Sequence, residues 1–149
     1  PAGRDRPSGA PEPGHGTRDT GHESNVRRAR IAAALWGGFL FILTSWPNPP
    51  VIRSGGFPLD KLTHFALYAV EAFLLYRAVS WPGRTGFAAS RVLTVVGILA
   101  VWGALDEAHQ EWIPGRMMDS GDLAADVAGA AVGAAFSAAR RMKPGSADR

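Results

Sequence analysis

Residues 106–126, with the sequence DEAHQEWIPGRMMDSGDLAAD, connect two long apolar runs of the chain. Within this stretch Asp119, Asp122 and Asp126 recur at helical spacing, which places their side chains on one face of a helix. Ionisable side chains inside hydrocarbon cost about 2.5–3.5 kcal/mol each on insertion scales and usually serve a function. The stretch therefore indicates where a functional site should lie.

Composition limits the class of protein. The chain has 149 residues, which suits one domain, and its lack of cysteine excludes disulfides and thiolate metal sites. The net charge is +3, but no nucleic-acid recognition motif accompanies it, so we expect no nucleic-acid partner. Residues 1–25 contain no Val, Ile, Leu, Phe or Trp and cannot offset their ordering entropy by burial. We predict disordered tails over residues 1–25 and 144–149, flanking a membrane domain over residues 26–143.

Four apolar segments make up this domain. They run from about Ile31 to Trp46, Leu62 to Trp81, Val92 to Leu105 and Asp119 to Ala139. A membrane helix needs about 20 residues, and the first and third segments reach that length only with their flanks. Each alone also fits a buried helix of a soluble protein. Four together, with almost no polar face, favour an all-α integral membrane bundle of four transmembrane helices with up-down topology.

The basic residues predict the orientation of the bundle. They cluster before the first segment, around the second loop and after the last segment: Arg27, Arg28, Arg30, Arg77, Arg84, Arg91, Arg140, Arg141 and Lys143. The first and third loops hold only Arg53, Lys61 and Arg116. The positive-inside rule then places both termini in the cytoplasm and these two loops outside. We expect a multi-pass protein of the plasma membrane, surrounded by membrane lipids.

This topology brings the polar helix ends together on the extracytoplasmic side, because short loops join antiparallel neighbours. Asp60 and Asp119 are placed to cap the second and fourth helices. The acidic face of the fourth helix continues into Gly129-x-x-x-Gly133, a pattern that allows close helix approach. We therefore predict that the acids of this face point into the bundle.

Three blocks of the chain, in order, resemble the VanZ-like family: Asp60-Lys-x-x-His64-x-x-x-Tyr68, Asp106-Glu-x-x-Gln110, and Pro-Gly-Arg116 with Asp122, Gly129 and Gly133. The founding member of that family is associated with teicoplanin resistance. The resemblance covers about residues 60–136, roughly half of the chain. It implies a small multi-helix protein of the cell envelope that contributes to glycopeptide or lipoglycopeptide tolerance.

One position departs from the family pattern. The family more often carries Asn where this chain has Asp126. A second inward carboxylate needs a proton, a cation or a partner such as Arg116 or Lys61.

The polar residues fall into two groups of candidates. The candidate catalytic residues, suited to acid–base chemistry on a phosphate ester, are Asp106, Glu107, Asp122, Asp126 and His64. The candidate substrate-binding residues are Asp60, Lys61, Gln110, Arg116, Asp119 and Tyr68. Carboxylates with a histidine also suit a divalent cation, although no metal motif of known spacing is present, so no cofactor is predicted.

Structural alternatives exist for several of these residues. Asp60 and Asp119 suit helix caps, and Glu107 suits a solvated position near the membrane boundary. Arg116 suits either an ion pair with Asp119 or Asp122 or a clamp on a phosphate. We expect Tyr68 to pack inside the bundle with its hydroxyl hydrogen-bonded.

Three functions fit this pattern. The first is binding or modification of an envelope lipid or its phosphate-bearing headgroup, with Arg116, Lys61 and His64 engaging the anion. The second is a non-catalytic interaction or structural protein of the membrane. The third is a small proton- or ion-coupled carrier, suggested by Glu71 in the second helix, which would require a homo-oligomer. Whether the protein is an enzyme stays open at this point.

Overall fold

The computed structural model describes residues 17–47, 59–79 and 88–142. Across these residues the chain forms four helices and no strand: α1 (Thr17–Thr44), α2 (Leu59–Ala78), α3 (Ala88–Gln110) and α4 (Ser120–Met142). The predicted all-α class is confirmed. Contacts between helix ends show that neighbours in sequence run in opposite directions, so α2 and α4 run parallel to each other.

The first helix differs from the prediction at its start. It begins at Thr17, inside the segment predicted to be disordered, so residues 17–25 are helical. Once a helix exists, each added residue contributes a further backbone hydrogen bond, which lets it extend past its packed part. Residues 1–16 and the predicted tail at 144–149 lie outside the described residues.

The closest packing in the bundle joins α2 to α4. A Cβ atom at Gly129 would overlap the backbone carbonyl of Phe65, and one at Gly133 would overlap that of Ala69. Between these glycines Ala130 is fully buried. The small-residue face predicted for the fourth helix therefore lies directly against the backbone of α2, as its spacing indicated.

The larger of two core clusters contains residues from all four helices. It combines the small side chains of α4 with larger ones from the other helices: Leu40, Tyr68, Tyr76, Val95 and Leu99. The smaller cluster lies where α2 ends, and there Ala29 and Ala33 of α1 pack against Ala78 of α2. Small residues thus allow close contact both between α2 and α4 and between α1 and α2.

The outer surface is strongly apolar. Large hydrophobic side chains point outward from α1 and α3, including Leu35, Leu93 and Val101. Among the described residues, two helices, α3 and α4, are long and apolar enough to cross a membrane. Most of the apolar segment of α3 is not covered by the other helices, whereas the core helix of a soluble protein is mostly buried.

Two predicted helix caps have different outcomes. Asp119 precedes α4, and its Oδ1 accepts the backbone N–H of Gly121 at 2.7 Å, so the predicted N-cap is confirmed. Asp60 is not a cap, because α2 begins at Leu59 and includes Asp60 in its first turn, where the side chain is exposed.

Gly133→Ala is expected to lower the free energy of unfolding by about 1–3 kcal/mol, because the added methyl group meets backbone rather than a movable side chain. Gly97→Ala on α3 is the matched control, since no atom of the described helices lies within 4 Å of its Cβ position. Unfolding followed by circular dichroism in detergent measures both variants. Equal stability of the two would contradict the described α2–α4 contact.

Candidate functional site

The structure brings polar side chains together where α1 and α3 end and where α2 and α4 begin. We call this group the polar end cluster. It contains Thr44, Lys61, His64, Tyr68, Asp106, Glu107, Gln110, Arg116, Asp119, Asp122 and Asp126. Of the predicted site residues, only Asp60 lies at its edge, with an exposed carboxylate 3.8 Å from the Lys61 ammonium. The predicted convergence of the helix ends is therefore observed.

His64 and Asp126 form the buried centre of the cluster. His64 Nδ1 lies 3.0 Å from Asp126 Oδ1, and Asp126 is only 1% exposed. The basic partner of Asp126 is His64, rather than Arg116 or Lys61, the two examples considered for that role. Since α2 and α4 run parallel, Lys61 lies beside Asp122, and the next turn of α2 places His64 beside Asp126.

Lys61 joins the start of α2 to the start of α4. Its ammonium donates to Asp119 Oδ2 at 2.7 Å and to Asp122 Oδ1 at 2.9 Å. The hydrogen bond from Lys61, with a smaller contribution from the Gly121 N–H, lowers the pKa of the Asp119 carboxyl below its usual value. The positive charge of Lys61 is thus shared by two carboxylates. Any anion that binds Lys61 would have to compete with them.

Asp106 anchors a hydrogen-bonded chain between helices. Its Oδ1 accepts the Thr44 hydroxyl at 2.8 Å, and its Oδ2 accepts Gln110 Nε2 at 3.3 Å. Gln110 Oε1 in turn accepts from Arg116 at 3.3 Å. Asp106 and Gln110 lie one turn apart on α3, which brings the two side chains together. Thr44 was not predicted to belong to the site. Its hydroxyl in the last turn of an otherwise apolar helix could have indicated a hydrogen bond to a polar partner.

Arg116 binds the carboxyl end of α1 rather than an acid. Its guanidinium donates to the carbonyl of Leu43 at 3.1 Å and to that of Trp46 at 3.5 Å. The predicted ion pair with Asp119 or Asp122 is therefore wrong. The last carbonyls of a helix lack partners and carry partial negative charge, so a cation there stabilises the end. The positive φ of 79° at Gly115 turns the chain immediately before Arg116.

Two buried side chains beside the His64–Asp126 pair each have an oxygen atom without a hydrogen-bond partner among the described residues. Glu107 is 2% exposed, which contradicts the solvated position expected for it. Its Oε2 accepts the backbone N–H of Asp119 at 2.8 Å, while its Oε1 has no hydrogen-bond partner among the described residues. The buried Tyr68 hydroxyl also finds none within the described part of the chain, so the expected hydrogen bond is not observed.

His109 and Glu71 lie apart from the cluster. The His109 ring stacks on Phe41 at a centroid distance of 5.4 Å, and its position supports a packing role. Glu71 is buried in the middle of α2 and lines a cavity of about 700 Å³ between α1, α2 and α3. Gly37 and Gly38 leave space on the α1 side of this cavity.

No protein-family model, curated protein or solved structure matches the chain. The fold and the cluster define a class: an all-α bundle with an apolar exterior, two helices able to cross a membrane, and buried carboxylates and a histidine at one end. The resemblance to the VanZ-like family stays a prediction.

Thr44→Val is expected to destabilise the bundle by about 1–3 kcal/mol, because it leaves the buried Asp106 Oδ1 without its donor. Thr94→Val is the matched control, since that exposed hydroxyl bonds only one turn back to Ser90, and its effect should stay within about 0.5 kcal/mol. Chemical unfolding of the two variants in the same detergent provides the comparison. A Thr44 variant as stable as the control would exclude an important role for this bond.

Proposed function

We propose that this chain is a multi-pass plasma-membrane protein of four transmembrane helices whose polar end cluster binds the phosphate-bearing headgroup of an envelope lipid. The observation that carries the proposal is the position of the cluster. Buried, hydrogen-bonded charges occupy one end of a bundle whose outer surface is apolar. Headgroups lie at that level of a bilayer when the helices cross it.

The charge distribution supports an extracytoplasmic position for the cluster. The half of the bundle away from the cluster carries exposed arginines in the first half of α1 and at the end of α4: Arg27, Arg28, Arg140 and Arg141. Cytoplasmic loops and termini of membrane proteins are enriched in such residues. With both termini in the cytoplasm, the carboxyl end of α1 and the loop between α3 and α4 face outward.

The cluster offers several contacts for a phosphate group. His64 can donate to a phosphate from Nε2 when both of its ring nitrogens are protonated, and the Tyr68 hydroxyl can also donate. Lys61 supplies a cation shared with two acids. Arg116 acts indirectly, since it holds α1 against α3 through Gln110 and the α1 carbonyls. If the lipid is also modified, the His64–Asp126 pair is the group best placed for acid–base chemistry.

Lys61→Gln is expected to weaken headgroup binding, because it removes the ammonium that the cluster offers to a phosphate group. Native mass spectrometry of the protein purified with cellular lipids measures the bound lipid, and teicoplanin tolerance of expressing cells provides a second measurement. Glu111→Gln, an exposed acid just beyond α3, is the control. Unchanged lipid retention in a folded Lys61 variant would contradict the proposal. Loss of stability alone, with the same lipid retained, would favour a structural protein.

A second candidate function, a proton- or ion-coupled carrier, is favoured by the buried Glu71 beside its cavity. Its Oε2 has no hydrogen-bond partner in the described ranges, as expected for a group that exchanges a proton or a ligand.

For a carrier, Glu71→Gln is expected to abolish proton or cation flux in liposomes while headgroup binding persists, because the cavity lies apart from the polar end cluster. Glu111→Gln is again the control. Absence of flux through the wild-type protein would exclude this function.

A further inference from the structure

We propose that the polar end cluster contains a binding site for a divalent transition-metal cation, with His64 Nε2 and the carboxylates of Glu107 and Asp122 as ligands. These three side chains come from α2, α3 and α4, so the ion would join three helices. Binding of the ion requires no lipid. The inference therefore stands independently of headgroup recognition.

The geometry of the three groups suits one ion. One ligand atom from each lies within 4.8 Å of the others, and His64 Nε2 is 3.8 Å from Asp122 Oδ2. Metal–ligand bonds of about 2.0–2.2 Å at a tetrahedral angle place ligand atoms about 3.3–3.6 Å apart. Small side-chain rotations bring the groups to that spacing without a change in the helices.

His64 is already held in the orientation that a metal ligand needs. Its Nδ1 lies 3.0 Å from Asp126 Oδ1, and donation from this nitrogen leaves the lone pair on Nε2, which faces Asp122. Metal-binding histidines typically donate their other N–H to a carboxylate, which fixes the tautomer and the ring orientation. This role also accounts for the carboxylate at position 126.

An independent observation at Glu107 points to a bound ligand. The backbone N–H of Asp119 holds its Oε2 at 2.8 Å, which fixes the carboxylate in place. Its Oε1 is buried and lacks a partner among the residues that the structure describes, although Glu107 is only 2% exposed. A buried acceptor without a partner costs about 1–3 kcal/mol or more, and a coordinated cation would remove that cost.

The donor set selects the type of ion. One imidazole with two carboxylates suits Zn²⁺ or Mn²⁺, whereas Mg²⁺ and Ca²⁺ prefer oxygen ligands alone. Two carboxylates balance the charge of a divalent ion, although Asp122 also accepts from Lys61. Three protein ligands leave at least one coordination position for water or for a phosphate oxygen.

The test uses the full chain, purified in detergent, with any affinity tag removed and the protein dialysed against a chelator. Zn²⁺ or Mn²⁺ is added, excess ion is removed by gel filtration, and retained metal is measured by mass spectrometry. We expect one ion per chain. His64→Gln, Glu107→Gln and Asp122→Asn should each weaken binding by about 100-fold or more, because each leaves only two protein ligands. Asp126→Asn should weaken it by about 10–100-fold with unchanged stoichiometry, since it only orients His64.

Glu111→Gln is the control, because it makes the same chemical change at an exposed acid four residues from Glu107. A wild-type protein that retains no ion overturns the inference, and so do ligand variants that bind as tightly as the control. Circular dichroism establishes that each variant is folded. If a variant fails to fold, pulsed electron paramagnetic resonance of the Mn²⁺-loaded wild-type protein decides. Coupling to a histidine nitrogen supports the site, and its absence overturns it.

Discussion

The close approach of α2 and α4 determines where the buried centre of the polar end cluster lies. Gly129 and Gly133 let α4 rest directly on the backbone carbonyls of Phe65 and Ala69. His64 is adjacent to Phe65, and Asp126 lies one turn before Gly129, so the same contact sets the 3.0 Å distance between imidazole and carboxylate. A larger side chain at either glycine would separate the helices and the site together, because a helix moves as a rigid element.

The polar end cluster carries more acids than bases, and its arrangement limits the cost of that imbalance. Lys61 is shared between two carboxylates, Asp106 accepts from Thr44 and Gln110, and Asp126 is paired with His64. Burial of an unpaired charge is far more costly than burial of a paired one. Glu107 remains incompletely satisfied among the described residues. Because the site has excess negative charge, it favours binding of a cation. An anion such as a phosphate would bind through that bound cation or through the few hydrogen-bond donors of the cluster.

The exterior of the molecule is more apolar than that of a soluble bundle. Large apolar side chains face outward along α1 and α3, while charged groups are buried at one end. In water such a surface would drive association, and in a bilayer it meets lipid at no cost. The cavity beside Glu71 adds a further buried acid in the middle of α2, separate from the cluster. The apolar exterior supports the proposed membrane location.

The amino-acid sequence by itself determined the four helices, the small-residue face of α4 and the end of the bundle where polar groups meet. Helical periodicity and chain breaks encode these features locally. Only the tertiary structure decided which groups pair: His64 with Asp126, Lys61 with Asp122, and Arg116 with the end of α1. It also decided that Glu107 is buried. Spacing along one helix defines the face and level of a side chain, whereas a partner on another helix depends on the rotation and axial offset of the two helices. Packing at Gly129 and Gly133 sets that offset, which the spacing of residues along each separate helix does not reveal.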